Sequence, residues 1–228
     1  MRAPLRRYFE ALLRHYGPQE WWPGETPFEV MAGAVLTQNT SWNNVRKAIE
    51  RLKERGLLDP FRLHALATET LAEVIRPAGY YRVKAGRLKN LAAWLVERWE
   101  GELERLRALP LERLREELLG VKGIGPETAD SILLYALGRP SFVVDAYTYR
   151  VLTRHRRAPE GVSYEEIKAL FERELPRDAA LFNEFHALIV AVGKDRCRPV
   201  PRCEGCPLKR FLPRGGERKT PRPQSRGV

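Results

Sequence analysis

The segment LGVKGIGPETADSILLYALGRPSFVVDAYTYRVLTR, residues 119–154, decides the fold and carries the most informative chemistry of the chain. Its glycines, Gly120, Gly123 and Gly125, permit tight turns and positive φ angles that other residues resist. Pro126 suits the first turn of a helix, and the residues behind it have a helical apolar spacing: Ala129, Ile132, Leu133, Ala136 and Leu137. The unsatisfied amides at such a helix start bind anions. The segment therefore predicts a phosphate-binding turn, a helix and then a lone acid, Asp145.

The rest of the chain has helical rather than strand periodicity. Ser41 is predicted to cap a helix, and Ser163 with Glu166 has the spacing of a capping box. The stretch Phe142–Val144 is the only short strand-like run. Helices are predicted over residues 4–15, 28–36, 42–55, 60–66, 69–75, 84–100, 111–119, 163–174 and 178–192. We therefore predict an all-α fold of about ten or eleven helices.

The charge of the chain indicates a polyanionic partner. Over 228 residues, 40 Lys and Arg oppose 29 Asp and Glu, a formal net charge of +11. Residues 194–228 contribute eleven of these basic residues and only three acidic ones. Such a balance favours nucleic acid, with the basic tail making salt-dependent phosphate contacts. No apolar run approaches the about 20 residues of a membrane span, and the N-terminus is unlike a signal peptide, so we expect a cytoplasmic protein.

Three cysteines near the C-terminus form a possible metal site. Cys197, Cys203 and Cys206 have the spacing C-x5-C-x2-C. A tight cysteine cluster in a cytosolic protein usually binds zinc or an iron–sulfur cluster. Three thiolates are one short of a closed site, and Leu212 stands where a fourth ligand would fall.

These features together resemble the endonuclease III-like superfamily of helix-hairpin-helix DNA glycosylases. Four features occur in the order and spacing of that family, over about residues 25–212. They are the loop Thr37-Gln38-Asn39, the run Gly79-Tyr80-Tyr81, the segment from Gly120 to Arg154 and the cysteine cluster. The stretches WWPGETPFEV, LTQNTSW and GIGPETADSILLYALGRPSFVVDAYT are most similar to the 3-methyladenine DNA glycosylase subgroup.

The resemblance implies two helical domains with a groove between them. One would be a six-helix bundle over residues 24–140 that contains the hairpin. The other would join residues 1–23 to residues 141–212 and carry the cysteine-cluster loop. Apart from the resemblance, the Pro-, Gly- and Arg-rich composition of residues 213–228 predicts a basic disordered tail. The expected partner is double-stranded DNA, whose target nucleotide is flipped into the groove, and we expect a monomer.

The resemblance also implies particular DNA contacts. The hairpin residues Val121, Lys122, Gly123, Ile124 and Gly125 match the element that holds a DNA phosphate through backbone amides. Gln38 matches a residue that enters the space left by the flipped base, although residues 37–42 read equally well as a plain capped loop. Candidate walls of the base pocket, each of which could instead be a core residue, are Trp42, Tyr80 and Tyr81.

Asp145 matches the catalytic aspartate of the family. Cleavage of an N-glycosidic bond develops oxocarbenium character on the sugar, and a fixed carboxylate stabilises that charge and can orient or deprotonate the attacking water. From its place after an apolar run, Asp145 is also predicted to cap the helix that begins near Ala146. The two roles are compatible.

Glu127 marks the departure from bifunctional members of the family, which carry a lysine at this position. That lysine forms a Schiff base with the sugar and permits strand cleavage, which a carboxylate cannot do. Glu127 is either a solvated or substrate-facing residue on a polar helix face that includes Asp130 and Ser131, or a second pocket carboxylate. We therefore expect a monofunctional glycosylase of damaged bases, most simply alkylated purines.

Three other functions remain open from the sequence. They are a uracil/thymine mismatch glycosylase, a bifunctional endonuclease III-like glycosylase/AP lyase, and a non-catalytic DNA-binding module. The 4Fe–4S cluster implied by the resemblance would need a non-cysteine fourth ligand; zinc binding or loss of the site are the alternatives, and we favour iron–sulfur.

Overall fold

The computed structural model describes residues 4–19, 21 and 24–213 and is all-α over these residues. Its compact units are Trp22–Arg139 and the combination of Met1–Trp21 with Pro140–Val228. The predicted tail lies almost wholly outside the described residues. No helix in the described parts of the chain is long and apolar enough to cross a membrane.

The unit Trp22–Arg139 contains eight helices within the described residues. They are α2 (Pro27–Leu36), α3 (Trp42–Glu54), α4 (Pro60–Ala65), α5 (Thr68–Val74), α6 (Tyr81–Ala93), α7 (Leu103–Ala108), α8 (Leu111–Leu119) and α9 (Pro126–Ser131). A 3-10 turn covers Arg76–Ala78, and π-helical turns extend α6 over Trp94–Arg98 and α9 over Ile132–Ala136. The short helix α7 is absent from the sequence prediction.

The core of this unit is aliphatic and surrounds α2. Every residue of α2 from Phe28 to Leu36 is buried, so this helix lies inside the bundle rather than on its surface. Thr26 caps it by accepting a hydrogen bond from the amide of Glu29 at 3.1 Å. The helix ends at Leu36, directly before the polar loop that contains Gln38, so its burial fixes where that loop starts.

The second unit contains α1 (Leu5–Tyr16), α10 (Ala146–Arg154), α11 (Tyr164–Glu174) and α12 (Ala179–Asp195). Its core includes stacked aromatic rings: Phe142 and Phe171 lie 3.7 Å apart between ring centroids, almost parallel. The run from Phe142 to Val144 is buried and has no regular secondary structure. It leads directly into the cap of α10, so buried apolar residues anchor the residue that follows, Asp145.

The two predicted caps have different outcomes. The capping box at α11 is confirmed, because the Ser163 hydroxyl accepts from the Glu166 amide and the Glu166 carboxylate accepts from the Ser163 amide. Ser41 occupies the cap position of α3, but its side chain makes no capping hydrogen bond. Its carbonyl instead accepts from the Asn44 and Val45 amides, which is sufficient to start the helix.

Candidate active site

The hairpin between α8 and α9 is anchored by its two apolar side chains. Val121 and Ile124 are buried, with 6% and 5% exposure. The Val121 amide donates to the Leu118 carbonyl at 3.1 Å, and the Ile124 amide donates to the Val121 carbonyl at 3.0 Å. These two residues are therefore anchors of the turn, and their side chains are unavailable to a ligand.

The other three residues of the hairpin present backbone amides. In the described structure, the amides of Lys122, Gly123 and Gly125 donate to no protein acceptor. Gly123 has φ +96°, a conformation that favours glycine. A Cβ at this position would also lie 2.4 Å from Cγ of Arg87. The predicted turn therefore has the unsatisfied amides that an anion site requires.

Gln38 lies against this hairpin, 85 residues away in the sequence. Its Nε2 donates to the Gly123 carbonyl at 3.1 Å and to Oγ1 of Thr128 at 2.9 Å. Its Oε1 accepts from Nη1 of Arg87. The amide thus uses both donors and one acceptor on the protein, so the loop and the hairpin form one hydrogen-bonded assembly.

Helix α9 has a different polar face from the one predicted. Glu127 is exposed, whereas Asp130 is fully buried and Ser131 is 7% exposed. Arg115 of α8 forms an ion pair with Asp130 through two hydrogen bonds, from Nε to Oδ1 at 2.9 Å and from Nη2 to Oδ2 at 3.0 Å. Asp130 and Ser131 were predicted to share a polar face with Glu127, but both are buried, because Arg115 pairs with Asp130 and the Ser131 hydroxyl donates to the Glu127 carbonyl at 2.7 Å.

The three aromatic pocket candidates have different environments. Trp42 packs partly on the core and lines a cavity of about 330 Å³, whose described lining does not include the tyrosines. Tyr80 is 72% exposed and has φ +45°, an unusual backbone for a non-glycine residue that marks a candidate functional position. Tyr81 is partly buried beneath the guanidinium groups of Arg76 and Arg82. These aromatics therefore do not form one pocket within their unit.

The cavity beside Trp42 is rich in carboxylates. It is also lined by Glu25, Glu29, Glu50, Arg46 and Lys53, together with Ile49 and two glycines. Lys53 contacts both Glu25 and Glu29 at 2.9 Å, and this pairing raises the pKa of Lys53. Three carboxylates against two cations give this cavity an acidic excess in a chain of net charge +11.

Asp145 caps α10 and is mostly buried. Its Oδ1 accepts from the Thr148 amide at 2.7 Å, and its Oδ2 lies 3.5 Å from Nε2 of His186. Burial alone would raise the pKa of this carboxyl, but the charge and hydrogen bond of His186 and the Thr148 amide outweigh burial and lower it. The side chain retains 14% exposure. The cap therefore holds an ionised carboxylate that solvent can still reach.

Sequence reasoning missed three polar residues beside these groups. His186, 5% exposed, interrupts an apolar run of α12, which is the signal that could have identified it. Lys84, 1% exposed, donates to the carbonyls of Leu36 at 2.9 Å and Ala78 at 2.7 Å, and burial together with Arg87 lowers its pKa to about 8. Arg87 has no sequence signal of its own, because its role depends on contacts distant in the chain.

The cysteines do not fit a four-ligand cluster. Among the described residues, no three His, Cys, Asp or Glu side chains are gathered as a metal site requires, and Leu212 offers no donor atom. Cys197 is buried, and its Sγ accepts from Nη1 of Arg154 at 3.3 Å. The same guanidinium donates to the Arg198 carbonyl at 2.5 Å and the Pro199 carbonyl at 2.7 Å. A buried arginine therefore ties this loop together by direct protein contacts.

Comparison with known proteins gives a consistent family. A model of the HhH-GPD superfamily of base excision DNA repair proteins matches residues 32–177. The Methanocaldococcus jannaschii protein MJ1434, which carries the name of a DNA repair glycosylase, is 48% identical over 91% of this chain and 94% of its own. A thymine/uracil-DNA glycosylase of Pyrobaculum aerophilum is 28% identical over 86% and 84%. The longer chloroplastic endonuclease III homolog 1 of Arabidopsis thaliana is 29% identical over 84% of this chain and 50% of its own.

Two solved structures are similar over most of the chain. The crystal structure of Helicobacter pylori 3-methyladenine DNA glycosylase (MagIII) bound to 1,N6-ethenoadenine has a TM-score of 0.69 and 32% identity, and covers 84% of this chain and 95% of its own. A trapped covalent intermediate of endonuclease III with DNA has a TM-score of 0.80 and 25% identity, and covers 94% of both chains.

Proposed function

The chain belongs to the HhH-GPD superfamily of base excision DNA repair proteins, and we propose that it is a monofunctional DNA glycosylase that removes alkylated purines. Glu127 carries the first half of this proposal. The residue stands on the first turn of α9, where the resemblance places the lysine of bifunctional enzymes. Without an amine at this position, the family's usual nucleophile for a Schiff base is missing, so the expected product is an abasic site.

Substrate choice rests on the character of the leaving group. Alkylation at N3 or N7 makes a purine cationic, so the base leaves readily and needs little acid catalysis. A cationic base also stacks on an aromatic face and is attracted by carboxylates. The cavity beside Trp42 offers both features and has the size of a small-ligand site. The similarity to the 3-methyladenine glycosylase over 95% of that chain supports the same substrate class.

The catalytic role is assigned to Asp145. An ionised carboxylate with one oxygen fixed by the Thr148 amide stabilises the oxocarbenium character of the sugar through its other oxygen. The same oxygen can orient the attacking water. His186 acts on this oxygen from 3.5 Å and lowers the pKa of the carboxyl, which extends its ionised form to lower pH, so it is a positioning residue rather than a reacting group.

Base release from defined lesions tests this proposal. Duplexes carrying 3-methyladenine, 7-methylguanine, uracil, thymine opposite guanine or an oxidised pyrimidine are incubated with the protein, with and without borohydride. We expect release of the methylated purines and no covalent adduct. A borohydride-trapped adduct with the wild-type protein contradicts the monofunctional assignment, and preferential release of uracil or thymine supports the second candidate, which the Pyrobaculum aerophilum relative favours.

Two substitutions separate the roles of the carboxylates. Asp145→Asn keeps a good helix cap, so it should retain DNA binding while base release falls by about 100- to 1,000-fold. Glu127→Gln should keep base release within about fivefold, because Glu127 is exposed at a helix start, where its charge contributes only about 0.3–1 kcal/mol. A 100-fold loss in Glu127→Gln would instead assign it a charged catalytic role.

A further inference from the structure

We propose that Arg87 is a DNA-phosphate-binding residue of the hairpin and that it positions the side chain of Gln38. This inference rests on the proposed function, since it assumes that the hairpin holds a DNA phosphate. It adds a cation to an element whose other phosphate contacts come from backbone amides.

The stem of Arg87 lies against the turn itself. A Cβ at Gly123 would lie 2.4 Å from Cγ and 3.0 Å from Cδ of Arg87, so the glycine permits this close approach. On the next turn of α6, Asn90 donates to the Lys122 carbonyl at 2.9 Å. Helix α6 therefore supports the hairpin through two residues, and the Arg87 side chain runs past Gly123 to reach Gln38.

The Arg87 guanidinium has more N–H donors than its described hydrogen bonds use. A guanidinium carries five N–H donors, and the described structure uses Nη1 for Oε1 of Gln38. No carboxylate of the described residues forms an ion pair with Arg87. Its positive charge is felt by Lys84, whose pKa it helps to lower. A partly buried guanidinium without a described counter-ion, on a side chain whose stem packs against a turn with unused amides, is suited to a phosphate.

The same group fixes Gln38. Because Arg87 donates to Oε1, the amide must present Nε2 to Gly123 and Thr128, and the opposite orientation would place donors against each other. Phosphate binding by Arg87 and the orientation of Gln38 therefore involve one guanidinium. A phosphate at the hairpin would act on Gln38 through a single side chain.

The salt dependence of DNA binding tests the phosphate contact. Each phosphate contact contributes about 0.9 to the slope of log affinity against log salt concentration. Between 50 and 200 mM salt, wild type should lose about 3.5-fold more affinity for an undamaged duplex than Arg87→Gln loses. Arg87→Lys keeps the charge and should restore most of the slope. Arg105→Gln, an exposed arginine of α7 paired with Glu100, is the matched control and should keep the wild-type slope.

The positioning role has its own measurement. Arg87→Lys removes the planar group that faces Gln38, so base release should fall although the salt slope is kept. The double variant Arg87→Lys with Gln38→Ala should release bases almost as fast as the slower single variant. The reason is that each change breaks the same hydrogen-bonded arrangement of the Gln38 amide. Equal salt slopes for wild type and Arg87→Gln, in proteins with unchanged melting temperature, would overturn the phosphate contact; additive losses in the double variant would overturn the positioning role. A failure of the proposed function is distinguishable from both outcomes, because in that case the wild-type protein releases no base from any of the lesions.

Discussion

Replacing His186 with glutamine should move the acid limb of base release to higher pH. Glutamine carries an Nε2 donor on a side chain of similar reach, so the change removes the imidazole charge while keeping a hydrogen-bond donor. His186 is 5% exposed, and its Nε2 lies 3.5 Å from Oδ2 of Asp145. The substitution therefore isolates the electrostatic effect of the imidazole on the carboxylate.

The size of the effect follows from this distance. Two unit charges 3.5 Å apart interact by about 5 kcal/mol at an effective dielectric constant of 20, which is an upper limit. Opposite charges at such distances commonly lower a carboxyl pKa by about 1–3 units. In the wild type the pKa of Asp145 is lowered although burial opposes this. Without the charge burial dominates, so the pH below which the carboxylate is protonated and inactive should rise by about 1–3 units.

Single-turnover release of 7-methylguanine at saturating enzyme, from pH 4 to 8, measures this shift after subtraction of the enzyme-free loss. The control His15→Gln replaces an exposed histidine of α1 and should keep the wild-type profile. Rates near neutral pH should be little changed in His186→Gln, because Asp145 stays ionised there. A folded His186→Gln protein whose acid limb coincides with that of wild type would refute the argument that His186 sets the ionisation of Asp145.

Three further results are expected. Trp42→Ala should weaken binding of alkylated DNA by about 5- to 150-fold in an equilibrium titration, because base stacking contributes about 1–3 kcal/mol, whereas Trp42→Phe should retain most of it; equal binding by all three proteins would remove Trp42 from the base site. Asp130→Ala should lower the melting temperature by about 6–20 °C, because it removes the buried carboxylate that pairs with Arg115. The double variant Asp130→Leu with Arg115→Leu removes both charges and should recover part of this loss. Freshly purified protein should lack stoichiometric iron and the visible absorption of an iron–sulfur cluster, because no three His, Cys, Asp or Glu side chains of the described residues are placed to hold a metal ion. Stoichiometric iron would show that the loop rearranges around a cluster.

Local signals account for most of the fold that the sequence predicts. These signals act within a few residues, so a single sequence is enough to identify them. They are Pro126 after three glycines, the Ser163 capping box and the apolar periodicity of the helices. Helix α7 escaped prediction because its six residues show only one buried position, Leu106, and a single position has no period.

In the candidate site, too, local features were predictable from the sequence and long-range contacts were not. Asp145 and the hairpin are predicted by position, whereas the partners that define their chemistry come from distant parts of the chain. His186 lies 41 residues after Asp145, and Gln38 meets Gly123 across 85 residues. The burial of Asp130 was missed for this reason: the sequence places it on a polar helix face, and its burial depends on Arg115 of the preceding helix.

The cap geometry of Asp145 has a genetic consequence. Asparagine caps a helix as well as aspartate does, so Asp145→Asn should leave α10 intact while removing the charge that acts on the sugar. Aspartate and asparagine codons differ by one nucleotide. A single transition could therefore turn such a repair enzyme into a folded protein that occupies lesions without excising them, and selection for stability alone would not eliminate that allele.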